Sequence, residues 1–145
     1  MPFFAQQSRT ELRQNYLDVW RKHLDRVPME AIEVQIAQAI SEHPEYHSLL
    51  AVPDVALTRD FAPEAGHSNP FLHMSLHLAV RDQVSTDSPH GIRVAFELLA
   101  RRRGAHDAEH AIIEHLAEML WQAQRDGLPP NENIYLSRIK RLLRR

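Results

Sequence analysis

Apolar residues recur along this chain at three- and four-residue steps, the period of an α-helix. Nowhere do they alternate singly between turn residues, as a half-buried strand would require. Leu12, Tyr16, Val19 and Trp20 predict an amphipathic helix from Arg9 to about His23. Pro28 fits the first turn of a second helix, with a stripe of Met29, Ile32, Ile36 and Ala39 or Ile40. Pro44 then stops that helix or starts a short one through Leu50. From Ala51 to Ser68, the residues Pro53, Asp54, Pro63 and Gly66 predict a loop with at most one helical turn.

Asn69-Pro70 is a helix start, with asparagine as N-cap and proline at the first helical position. The helix it opens is predicted to run to about Ser85. Ser88-Pro89 repeats the signal, and Gly104 is a natural stop. A further helix spans about His106 to Asp126, and Pro129-Pro130 introduces the last one, through Leu143. The expectation is an all-α protein, a compact bundle of about five to six helices over residues 1–145. Short connections would make neighbouring helices mainly antiparallel.

Composition narrows the chemistry. The 145 residues are 43% hydrophobic, enough for one core. A formal net charge of -2 excludes an overall basic nucleic-acid binder. With no cysteine, disulfides, thiolate zinc sites, iron–sulfur clusters and a cysteine nucleophile are all excluded. No apolar run approaches the ~18 residues of a bilayer span, and Met1 to Ser8 lacks a secretory n-region. The expected location is cytoplasmic. There is no Gly-rich phosphate loop and no nucleophile elbow.

The ten histidines are the chemical signal. Three pairs lie four residues apart: His43–His47, His73–His77 and His106–His110. Random placement would give roughly 0.6 such pairs, so the excess is modest. Residues four apart on a helix point within about 40° of each other, one turn apart. His73 and His77 share their line with Leu76, Val80 and Val84, a core-facing stripe. A buried imidazole needs partners for both nitrogens, and a metal can supply one. On the next long histidine-bearing helix His106, His110 and Glu114 follow at four-residue steps. Glu109 sits beside the stripe of Ile112, Leu116, Leu120 and Ala123, where a carboxylate is costly unless paired, protonated or metal-bound.

These residues predict a metal-binding bundle. His73, His77, His106 and His110 are the candidate ligands, Glu114 or Glu109 the carboxylate, and His47 an additional ligand. Zinc or non-haem iron suits such donors, as would copper or nickel. The helix that starts at Asn69 should then lie against the one that starts near His106, with Arg81 and Asp107 pointing outward. In the simpler account, His73 and His77 are core histidines bonded to Glu109 or Glu114. His106-Asp107-Ala108-Glu109-His110 also matches the HxxEH signature of inverted zinc peptidases, in which the glutamate is the general base. That stretch lacks the larger fold and distant glutamate ligand of those enzymes.

Several segments carry a family resemblance. His43-Pro44-Glu45-Tyr46-His47, Asn69-Pro70-Phe71-Leu72-His73-Met74 with His77, the stretch from Arg81 to Ile92 with Thr86-Asp87 and Pro89, and the HxxEH helix are the carriers. Together they resemble an uncharacterised bacterial domain-of-unknown-function family, number 1841, from the Leu12–Trp20 helix to about Arg125. The resemblance implies bacterial origin and single-domain character, and no activity. In bundle and ligand type the chain is also similar to di-iron proteins of the hemerythrin kind. Their order and spacing differ, and their bridging aspartate has no counterpart here.

A rival reading needs no metal. Arg138, Lys140, Arg141, Arg144 and Arg145, with the run Arg101 to Arg103, could meet nucleic acid or an anionic surface. Cations at helix C-termini are equally expected from the helix dipole alone, and few aromatics accompany them for base stacking. Trp20 and Trp121 are either core residues or anchors of an interface such as a homodimer.

Overall fold

The computed structural model describes residues 8–61 and 69–144. Among them the secondary structure is helical, with no strand: α1 (Arg9–Leu24), α2 (Ala31–Ser41), a 3-10 turn (Pro44–Tyr46), α3 (His47–Leu50), α4 (Pro53–Thr58), α5 (Pro70–Thr86), α6 (Ile92–Arg103), α7 (Ala105–Asp126) and α8 (Glu132–Leu142). The long helices α1, α2, α5, α6, α7 and α8 are those that the apolar period predicts. The total exceeds five to six because the proline-rich middle also forms short helices. Pro53 sits at the first turn of α4, where its missing N–H costs nothing, so part of the expected loop is helical. Pro63, Gly66 and His67 lie outside the described residues.

Two other boundaries moved for identifiable reasons. Helix α2 starts after Glu30 rather than at Pro28, because the Glu30 N–H donates to Glu33 Oε1 at 3.0 Å, closing the first turn there. Helix α6 starts at Ile92 rather than at Pro89. Asp87 Oδ1 accepts from the N–H groups of Gly91 and Arg93, both at 3.0 Å, and so serves the free donors of that helix end. Gly91 has φ +104°, a conformation that disfavours any side chain.

The chain divides into two compact units, Met1–Ser75 and Leu76–Arg145, with the boundary inside the unbroken helix α5. In the first unit Tyr16 is buried, its ring edge-on to Phe71 at 5.7 Å and its hydroxyl 2.6 Å from Ser75 Oγ. Burial raises the Tyr16 phenol far above its ordinary value, against the opposing hydrogen bond to Ser75, so it is protonated. Arg13, also buried, donates to the carbonyls of Ala56 and Arg59 at 3.1 and 2.8 Å and ties α1 to the end of α4. In the second unit Leu76, Val80, Ile92, Leu99, Ile112, Leu116, Tyr135 and Ile139 form one buried cluster. Tyr135 donates to Gln83 Oε1 at 2.6 Å.

Trp121 is 58% exposed with Arg125 over its ring, so it is no core residue, whereas Trp20 is half-buried between the rings of His23 and His47. No described helix is long and apolar enough to cross a membrane.

Two stability outcomes follow. Ile112→Ala empties a fully buried site and should cost about 2–5 kcal/mol by urea denaturation. Asp87→Ala should destabilise at neutral pH by removing the α6 cap. The backbone N–H of Arg93, then that of Gly91 and the ring of His90, hold the Asp87 carboxyl below its ordinary value against burial. A depressed folded value means that its contribution is complete above about pH 4 and fades as pH falls through the folded value. Thermal melts of both proteins should therefore converge in acid. A penalty independent of pH would show that the cap is not electrostatic.

Candidate metal centre

Helix α5 begins as its sequence dictates. Asn69 Oδ1 accepts from the N–H groups of Phe71 and Leu72 at 3.0 and 3.2 Å, and Pro70 takes the first helical position. This start sets the rotational frame of the helix, which places His73 and His77 on one line, one turn apart. His73 is half-buried and His77 wholly buried.

In the second unit His77 meets α7. Its Nδ1–H donates to Glu109 Oε1 in a short contact. Arg81, one turn further along α5, reaches the same carboxylate: its Nε lies 3.0 Å from Oε1 and 3.2 Å from Oε2. Arg81 therefore points inward and is half-buried, against the expectation that it faces solvent, while Asp107 is exposed as expected. The reason is Glu109, which is only 8% exposed and needs cationic and hydrogen-bonding partners. Burial pushes its carboxyl up, but the hydrogen bonds and charges of His77 and Arg81 outweigh this and leave it below the ordinary glutamate value. Glu109 is thus an ionised, fully engaged acceptor. The general-base role in HxxEH would require a carboxylate available to water.

The tautomer follows from these bonds. With Nδ1 donating to Glu109, a neutral His77 carries its lone pair on Nε2. That atom lies 3.0 Å from Nε2 of His110, with ring centroids 4.8 Å apart. His106, exposed in the first turn of α7, has its ring 4.2 Å from that of His110 and 5.9 Å from that of His77.

The first unit repeats the device. His43 is buried, and its Nδ1 donates to the Ala39 carbonyl at 2.7 Å, so its Nε2 also bears the lone pair. Its ring stacks on Tyr46 at 5.4 Å and stands edge-on to His73 at 5.1 Å. The four-residue spacing pairs His43 with His47, but Pro44 interrupts the helix between them, and His43 is absent from the predicted ligand set. A usable signal did exist: continuing the stripe Ile36, Ile40 by one three-residue step lands on His43.

One group of ligand atoms among the described residues could hold a metal ion: those of His43, His73, His77 and His110, all within 4.8 Å of one another. The other sequence candidates lie outside it. His47 donates through Nε2 to the Ile40 carbonyl at 2.8 Å, and its ring lies 4.7 Å from that of Trp20. Glu114 is exposed, and Glu109 faces His77 and Arg81. His106 borders the group without belonging to it.

Compared with known proteins, residues 8–141 match the model of one family, described as Domain of unknown function (DUF1841). No curated protein and no solved structure matches the chain.

Glu109→Leu should destabilise the protein by about 1–3 kcal/mol, since it withdraws the acceptor from buried His77 Nδ1–H. Glu109→Gln keeps an acceptor and should cost less. Equal losses in urea denaturation would show that Glu109 contributes packing rather than this bond.

Proposed function

The chain belongs to the DUF1841 family of unknown function, and we propose that this protein binds a single transition-metal ion through His43, His73, His77 and His110. The observation that carries the reading is the convergence of four imidazole ligand atoms within 4.8 Å. Zinc bound by four nitrogens at ~2.0–2.1 Å would place those nitrogens roughly 3.3 Å apart. The hydrogen bonds behind two of the imidazoles support it. Metal-bound histidines generally donate their other ring N–H to a carboxylate or a backbone carbonyl, which fixes the tautomer and raises the basicity of the ligating nitrogen. Glu109 does this for His77 and Ala39 for His43.

The donor set bears on the metal. Four imidazoles suit zinc, copper or nickel, whereas non-haem iron sites generally include a carboxylate. With Glu109 taken up by Arg81 and His77, zinc is the better fit. Two of the arginines in the rival reading have partners within the protein. Arg138 pairs with Glu118 at 3.1 Å, and Arg102 donates to the Leu143 carbonyl.

Protein purified without a histidine tag should contain, or take up from Zn2+ or Co2+, close to one equivalent of metal by elemental analysis. The His73→Ala, His110→Ala double variant should lose it. His47→Ala and Glu114→Ala should retain it. A wild-type protein that takes up neither ion, or a double variant that still does, defeats the proposal.

A further inference from the structure

Four buried or half-buried imidazoles would hold an ion well and exchange it poorly, because each ligand must be replaced from water as the ion enters or leaves. His106 is placed to relieve this. It is exposed, it occupies the first turn of α7, and it stands one helical turn before His110. Its ring lies 4.2 Å from that of His110 and nearly parallel, at 20°, to that of His77 at 5.9 Å. The turn begins at Gly104, which has φ +84° and open space around its Cα. No side-chain cap holds it, and uncapped helix ends are where a helix opens most readily.

Resting on the reading above, we infer that His106 is an exchange ligand: it takes the ion from solvent and passes it to His110 and His77, and receives it first on release. An exposed imidazole can displace a water from a hydrated divalent ion without the ion first entering the buried site. Rotation about its own side chain and the opening of one helical turn then bring the ion to its neighbours. Release follows the same steps in reverse, so His106 should accelerate loading and unloading together and leave the equilibrium nearly unchanged. A permanent fifth ligand would instead slow release and tighten binding.

Stopped-flow mixing of the apoprotein with Co2+, followed by its visible absorption, separates these cases. Removal by an excess of chelator and a Co2+ titration at equilibrium complete the set. His106→Ala should slow uptake and removal alike, by about tenfold or more, with the dissociation constant changed less than about threefold and one equivalent still bound. His106→Gln, which keeps size and polarity, should behave as His106→Ala does. Unchanged rates in both variants would overturn the exchange role. So would a large loss of affinity with faster release, which would make His106 a resident ligand. Failure of the wild-type protein to bind Co2+ would instead remove the metal-site reading beneath it.

Discussion

A buried carboxylate on the apolar side of a helix sets the terms for the groups around it. Glu109 is buried on the apolar side of α7, between Ala108 and the stripe that begins at Ile112. An ionised carboxylate there is tolerable only with hydrogen-bonded cations or donors around it, and α5 supplies two from successive turns, His77 and Arg81. This contact fixes the register of α5 against α7 within the second unit. It also decides which nitrogen of His77 keeps its lone pair. One ion pair thereby links packing, orientation and ligand chemistry.

Helix α5 carries that role because it is buried almost all round its middle. Met74, Ser75, Leu76, His77 and Leu78 are buried in succession, which no single apolar face can achieve. The polar members of that run are satisfied individually, Ser75 by Tyr16 and His77 by Glu109. Polar groups held this way are specific rather than adhesive: each bond contributes little net stability, but leaving one unmade is expensive. A buried histidine with a fixed tautomer is also a preorganised ligand, since the ordering of its ring has been completed by folding.

The legibility of the site divides along the same line. The spacing of His73 and His77, and of His106 and His110, was visible because a helix converts four residues into one direction. Pro44 ends the helical period at His43, so spacing alone pairs His43 with His47, whereas in the fold its ring stands against His73. His47 has the right spacing, yet its ring is taken up by Trp20 and the Ile40 carbonyl. Arg81 was misassigned outward because a lone arginine on a helix is normally solvated. Only the neighbouring helix reveals the buried carboxylate that draws it in.

What the sequence determined by itself is local: the helical period, the Asn69-Pro70 start, the stop at Gly104, and the absence of thiol chemistry. These depend on interactions within a few residues, so they can be read in order along the chain. Which histidines converge, which tautomers they adopt and whether Glu109 is base or anchor were decided by the tertiary structure. Those properties depend on partners such as Glu109 and His77, 32 residues apart. Sequence spacing fixes the direction of a side chain on its own helix but carries no information about what stands opposite it.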